Sequence, residues 1–287
     1  MDLCAMGVRQ VREGLLQGRF SCEEYVQAII ERSTRHRDLN GWSAQSEESL
    51  LRAARAADVA GRVRDPNLPL AGVPLGIKDN IDVAGLPGTA GTGALQNRWP
   101  ARNAVLVNEL LRAGALIAGK TGMHELAIGI TNNNAVTGPV RNPYDPQRSA
   151  GGSSGGSACV VAAGMVPAAL GTDTGGSVRL PAALCGLAGL RPTLGRYAPE
   201  GVLPLCRSRD TVGPITKDLG DAALLDAVLT GDHSLPSPNL TQVRLGLPRN
   251  TMAADLDADV ARVFEEALDL LSQQGITLIE ADVPRQR

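Results

Sequence analysis

Apolar and polar positions along the chain fall into blocks that predict helices and strands in turn. Tyr25, Val26, Ile29 and Ile30 recur at helical spacing. Ser21-Cys22-Glu23-Glu24 ahead of them reads as a capping box, in which the serine hydroxyl and the glutamate carboxylate each satisfy a backbone N–H at the helix start. Gly18 is placed to end the helix before it. SEESLLRAARAADVAGR predicts a third helix from its alanine-rich propensity, and RDPNLPLAG a turn-rich connector. Residues 1–60 are therefore expected to form an N-terminal helical segment packed on the rest of the domain. GVPLGIKDNIDVAG predicts a short apolar strand running into a polar turn. Val105, Leu106, Leu110 and Leu111 predict a helix stopped by Gly114, and ALIAGKT the next strand. A long loop rich in Asn, Pro and Gly comes next, GITNNNAVTGPVRNPYDPQRSAGG, of a length that is often functional. Further on, LAGLRPTLGRYAPEGVLPL reads as strand and turn, DLGDAALLDAVLTG as a helix, and RLGLPRN as a strand. DADVARVFEEALDLLSQQG is an amphipathic helix with acids early and Gly275 late, and ITLIEADVP a final strand. Strands alternating with helices, without an internal repeat, predict an α/β fold around a mixed sheet.

Composition narrows the classes. With 43% hydrophobic and 20% charged residues, the 287-residue chain is an ordinary soluble globular sequence, and only 2% aromatics means a core of Ala, Leu, Val and Ile. A net charge of -2 supplies no basic field, which argues against nucleic acid or an anionic membrane as partner. Cys4, Cys22, Cys159, Cys185 and Cys206 are odd in number and scattered, with no CxxC pair, as expected of reduced thiols in a cytoplasmic protein. The first residues, MDLCAMGVRQVREGLLQG, contain no apolar stretch of signal-peptide type. The uncharged run over 149–172 is long enough to raise the question of a membrane span. Its glycines, serines and Pro167 make it a poor one, so a buried loop, helix and strand are expected there.

That run holds the candidate chemistry. Ser153 lies in GGSSGGS and Ser177 in TDTGGS, separated by a small-residue apolar segment. Glycines before a serine let the backbone approach a ligand closely, and N–H groups at a helix start can bind an anion. A Gly/Ser linker is the alternative for GGSSGGS alone; the apolar segment and the second GGS count against it. A serine that is to act as a nucleophile also needs a base to take its proton. The three histidines, His36, His124 and His233, sit in a charged helix end, after a strand and in a polar loop, none a convincing triad context. A lysine serves if neutral, which at a pKa of about 10.4 only about one in 2,500 is at pH 7. Burial can change that, and Lys78 is delivered by the apolar strand GVPLGI. A solvated or ion-paired strand end is the ordinary alternative. Gly114 to Thr121 also satisfies the pattern G-x-x-x-x-G-K-T. Its first glycine follows a helix and its middle, Ala-Leu-Ile-Ala, is a strand, so it cannot be a phosphate cradle.

The segment GGSSGGSACVVAAGMVPAALGTDTGGSVRLPAALCG, with GVPLGIKDNIDVAG upstream and RDTVGPITKDLGD downstream, resembles the amidase signature family. The resemblance covers nearly all of residues 20–287 and implies a single domain with a mixed β-sheet core flanked by helices on both faces. Family members usually continue well over a hundred residues past this point, so the chain is expected to lack a C-terminal part.

The same resemblance assigns roles. Ser177 looks like the acyl-accepting nucleophile, Ser153 the bridging serine in a cis peptide with Gly152, and Lys78 the neutral amine at the end of the relay. The backbone N–H groups of Thr174, Gly175, Gly176 and Ser177 are expected to form the oxyanion hole. Asp173 and Arg179 are taken as structural, Ser154 and Ser157 as hydrogen-bonded within the glycine-rich turn, and Cys159 and Cys185 as core. No metal or organic cofactor is implied. ITNNNAVTGPVRNPYDP and CRSRDTVGP look most like the branch of indoleacetamide and mandelamide hydrolases, so a small aryl- or arylalkyl-acetamide is the expected partner. Two alternatives stay open, the A subunit of a glutamyl-tRNA amidotransferase and a catalytically inert fragment. Oligomeric state is not legible, and a homodimer is left open.

Overall fold

The computed structural model describes residues 2–232, 234, 238–252 and 255–281. It divides into two compact units, Met1–His233 and Ser234–Arg287.

The first unit begins with α1 (Val8–Leu16) and α2 (Cys22–Arg35). The capping box of α2 is formed, with Ser21 Oγ accepting from the Glu24 N–H at 3.1 Å and Glu24 Oε2 from the Ser21 N–H at 2.7 Å. The chain continues through β1 (Trp42–Gln45), α3 (Glu47–Val59), β2 (Pro74–Lys78), α4 (Val105–Arg112) and β3 (Leu116–Thr121). The long loop carries only a two-residue ladder, β4 (Asn133–Asn134) with β5 (Gly138–Pro139). Then come α5 (Gly155–Ala162), β6 (Ala168–Asp173), α6 (Arg179–Leu184), β7 (Ala188–Gly189), β8 (Thr211–Thr216) and α7 (Leu219–Thr230). The uncharged run over 149–172 is thus the loop, helix and strand its composition predicts. Among the described residues no helix is long and apolar enough to cross a membrane.

Six strands form one mixed sheet in the order β1-β3-β2-β6-β8-β7. The central β3, β2 and β6 are parallel, and β1, β8 and β7 join antiparallel. Every residue of β2, β6 and β8 is buried, so both faces of the sheet are covered there. Helices α3 and α4 pack on β3, α5 on β2, β6 and β8, and α7 on β8. Residues 1–60 supply a strand, β1, as well as helices.

Strand β8 is absent from the sequence reading, because Gly213-Pro214 in TVGPIT looks like a turn. Here Gly213 is required by a close approach, since a Cβ would lie 2.1 Å from the Leu190 carbonyl oxygen. The Pro214 carbonyl accepts from the Leu190 N–H at 3.1 Å.

In the second unit, β9 (Arg244–Leu247), α8 (Arg249–Met252), α9 (Ala258–Gln273) and β10 (Thr277–Glu280) occur in order, with β9 and β10 parallel. Residues 282–284 of the last expected strand lie outside the described residues, as does His233.

Candidate active site

Parallel β2 and β6 are neighbours, with Ile77 opposite Leu170, so the two strands end on the same edge of the sheet. Ligand sites of α/β sheets form at such C-terminal edges. The edge brings Lys78, the last residue of β2, to Thr172 and Asp173, the last two of β6.

Lys78 is fully buried. Its Nζ is 2.7 Å from Ser153 Oγ, 2.8 Å from Thr172 Oγ1 and 3.4 Å from the Thr172 carbonyl oxygen. Burial brings its pKa from 10.5 down to about 7, against the opposing pull of the Asp173 and Asp210 charges. Among the described residues it has no ion pair. A lysine so placed is neutral in a large fraction of molecules at pH 7.

Ser153 is held in the turn that leads into α5, and the Gly152–Ser153 peptide is cis. Its carbonyl accepts from the His124 N–H at 3.1 Å, so His124 meets the turn through its backbone. Next to it, the Ser154 N–H donates to the Ser177 carbonyl at 3.2 Å, tying the two serine-bearing turns together. Ser154 and Ser157 do not bond within the turn as expected. Ser154 Oγ exchanges hydrogen bonds with the Thr172 backbone, and Ser157 Oγ meets Thr121 Oγ1 and the Leu170 carbonyl. Both hydroxyls fasten the start of α5 to the sheet instead. Gly156 allows this, since a Cβ there would sit 2.3 Å from the Gly122 carbonyl oxygen.

Ser177 is nearly buried, and among the described residues its hydroxyl has no hydrogen-bond partner. Asp173 shapes the loop around it. Its carboxylate accepts from the Gly176 N–H at 2.7 Å and the Val178 N–H at 3.2 Å, and pairs with Arg179 at 3.0 Å and Arg191 at 3.2 Å. Burial works to raise its pKa, but Arg179 and those N–H groups together hold it below the usual carboxylate range. The Gly176 N–H, one of the four expected oxyanion donors, is hydrogen-bonded to Asp173 in this structure. The N–H groups of Thr174, Gly175 and Ser177 have no partner among the described residues. The Thr174 side chain is fixed by Asp210, whose carboxylate also accepts from the N–H groups of Leu205 and Cys206.

Two polar residues here, Thr172 and Asn80, have no role in the sequence reading, and a third, Lys120, figures there only in the rejected G-x-x-x-x-G-K-T pattern. Thr172 contacts Lys78 directly, and Asn80 Nδ2 donates to Thr172 Oγ1 at 3.2 Å and to the Leu203 carbonyl at 3.3 Å. Lys120, fully buried on β3, donates to the carbonyls of Asp79 and Ile81 and lies 3.8 Å from the Asp79 carboxylate. It thereby closes the turn that comes after Lys78, and its strand setting rules out a phosphate loop over residues 114–121. A compositional signal was available, since the chain has only three lysines, Lys78, Lys120 and Lys217. Two of the three are fully buried side by side in the sheet.

A cavity of about 250 Å³ opens beside these groups. Asn80, Thr172 and Thr174 line one side, and Tyr197, Val202 and Leu203 contribute an apolar wall.

Comparison with known proteins gives a consistent match. An indoleacetamide hydrolase from Agrobacterium vitis is 43% identical over 277 residues, covering 96% of this chain and 58% of that protein. A mandelamide hydrolase from Pseudomonas putida is 41% identical over 271 residues, covering 92% of this chain and 53% of that protein. The crystal structure of an amidase, 39% identical, agrees with a TM-score of 0.90 over 97% of this chain and 64% of its own. The chain therefore spans a little over half the length of the curated relatives it matches. The Amidase family profile matches residues 24–287, and on that match and these identities the chain belongs to the amidase family.

Proposed function

We propose that the chain carries the catalytic centre of an amidase that converts a carboxamide into a carboxylate and ammonia through an acyl-enzyme on Ser177. The observation that carries this reading is the 2.7 Å hydrogen bond between fully buried Lys78 and Ser153, formed where two turns bearing serines are tied together. Neutral Lys78 takes the Ser153 proton as Ser153 takes that of Ser177. Ser177 Oγ then bonds to the substrate carbonyl carbon. The N–H groups of Thr174, Gly175 and Ser177 receive the oxyanion. The relay returns the proton to the leaving nitrogen, the C–N bond breaks and ammonia departs. Water, deprotonated through the same relay, attacks the acyl carbon and releases the carboxylate.

The cavity supports an aryl- or arylalkyl-acetamide. Its size and the wall of Tyr197, Val202 and Leu203 suit a flat apolar acyl group beside a few polar atoms. The indoleacetamide and mandelamide hydrolases among the relatives act on substrates of that kind by their names.

A fluorophosphonate probe on the purified chain tests the site. Labelling that disappears in Ser177→Ala supports it, and no labelling of the unmodified chain rejects it. Ammonia release from a panel of aryl, aliphatic and amino-acid amides then tests the substrate class. Turnover of glutamine in preference to arylacetamides would favour the amidotransferase alternative.

A further inference from the structure

A base that receives a proton in a dry site needs acceptors waiting for the charge that arrives. Lys78 Nζ is surrounded by three oxygens, those of the Ser153 hydroxyl, the Thr172 hydroxyl and the Thr172 carbonyl. An ammonium has three N–H groups, so in the protonated state each finds one acceptor. A neutral amine has two N–H groups and a lone pair. With Thr172 supplying two acceptors, the lone pair is left facing Ser153.

The Thr172 hydroxyl is itself held. The Leu203 carbonyl can only accept, which fixes the Asn80 amide with Nδ2 toward it. The other Nδ2 hydrogen goes to Thr172 Oγ1 at 3.2 Å. Asn80 and Thr172 are 4% and 5% exposed, so water competes little for these bonds.

We propose that Thr172 is a positioning residue that sets the proton affinity of Lys78 by accepting a hydrogen bond from its charged form, with Asn80 holding the hydroxyl in place. The catalytic meaning of this rests on Lys78 being the base of the proposed hydrolysis; the interaction itself does not. Removing the hydroxyl leaves the ammonium one acceptor short in a buried site and makes Lys78 a weaker base. The other charges that bear on Lys78 are Asp173 on β6 and Asp210 ahead of β8. Asp79, next in the chain, turns its carboxylate to Thr89 and Gly91, and Lys120 on the adjacent strand is paired with it. None of these is altered by a change at Thr172.

The presence of only three lysines makes a direct measurement practical. The protein is labelled with lysine carrying 13C at Cε and titrated by NMR, the Lys78 signal being assigned by its loss in Lys78→Met. Thr172→Val, which keeps the shape of the side chain, is expected to lower the Lys78 pKa by about one pH unit. Thr172→Ser, which restores the hydroxyl, is expected to return it to the unmodified value, with Lys120 and Lys217 unmoved throughout. Thr172→Ala carries the same expectation as Val if the latter fails to fold. An unchanged Lys78 pKa in the folded Val or Ala variant overturns the proposal. A second readout is the pH dependence of fluorophosphonate labelling, whose acid limb should move down with the Lys78 pKa in Val and return in Ser. Failure of the unmodified chain to label would reject the hydrolase reading and leave the NMR result standing on its own.

Discussion

Lys78 and Ser153 are joined by a 2.7 Å hydrogen bond in a site where, among the described residues, no carboxylate pairs with the lysine. Lys120, one strand away and equally buried, has the Asp79 carboxylate at 3.8 Å. Two buried lysines in one sheet thus have different surroundings. Lys120 meets a carboxylate and two carbonyls, whereas Lys78 meets two hydroxyls and a carbonyl, partners that serve an amine as well as an ammonium.

The cost of burying Lys78 makes stability depend on pH in a definite direction. Its folded pKa, about 7, is below the unfolded value of about 10.4. Below pH 7 both states hold the proton and the folded state carries the full penalty. Between pH 7 and about 10.4 the unfolded chain binds more protons, so stability rises with pH across that window. Lys78→Met has no such titration. It is expected to be more stable than the unmodified protein at pH 6.5, on the order of 4 kcal/mol, with the gap closing as pH rises toward 10. Urea unfolding of both proteins at three pH values checks this, and a gap independent of pH would contradict it.

Loss of the base should be separable from loss of fold. Lys78→Ala is expected to slow acylation by about 10²–10⁴-fold at neutral pH. Lys78→Arg should do no better, because a guanidinium does not give up its proton. Ser153→Ala should slow acylation severely with the fold retained, at a cost in stability of about 1–3 kcal/mol because buried Lys78 loses one hydrogen-bond partner. Rates of probe labelling measure all three. A Lys78→Ala protein labelling at the unmodified rate would remove this lysine from the mechanism.

Asp173 holds the loop that bears Ser177, and its loss should show in stability and rate together. Asp173→Asn keeps the shape but removes the charge that faces Arg179 and Arg191, and it replaces one acceptor with a donor beside the Gly176 N–H. A destabilisation of about 1–3 kcal/mol is expected, because the loop N–H groups lose a charged acceptor while Arg179 and Arg191 stay within reach of water. Labelling should slow even under conditions where the variant is fully folded, because the Thr174, Gly175 and Ser177 N–H groups lose their fixed direction. A variant with normal stability and normal labelling would show that the loop holds its shape without this carboxylate.

Much of the site was legible because its residues lie in dense glycine-flanked motifs, and Lys78 because an apolar strand delivers it. What the motifs hide is who satisfies whom. Asp173 stands three residues before the Gly176 N–H it occupies, a local turn that short-range reasoning could have found. Thr172 and Asn80 sit inside the quoted motifs, yet they are 92 residues apart in sequence and meet only because β2 and β6 are parallel neighbours. Ser154 and Ser157 are alike in sequence setting to turn serines, and only the depth to which α5 sinks against the sheet sends them to Thr172 and Thr121. Helices α1 to α4 and α7 were readable from periodicity, composition and caps, whereas the short α6 was not read, nor was β8, since it contains Gly-Pro and draws its burial from both neighbours.

That strand supplies the sharpest test of the fold. Gly213 lies opposite Gly171 in the β6–β8 ladder, and a Cβ at 213 would approach the Leu190 carbonyl oxygen to 2.1 Å. The obstructing atom is backbone and cannot rotate away, so the edge of the sheet must shift. Gly213→Ala is expected to cost about 1–3 kcal/mol as an overpacking change, despite adding one methyl group to a strand where alanine is ordinarily preferred to glycine. Gly93→Ala is the matched control. Its Cβ would meet nothing closer than Val136 at 4.0 Å, and its backbone is not in a conformation reserved for glycine. That variant should be neutral or stabilised by about 0.4–1 kcal/mol through the unfolded state. Urea midpoints for the pair decide the matter. Equal stability of the two would mean that β7 and the chain after it do not lie against β8 as closely as described.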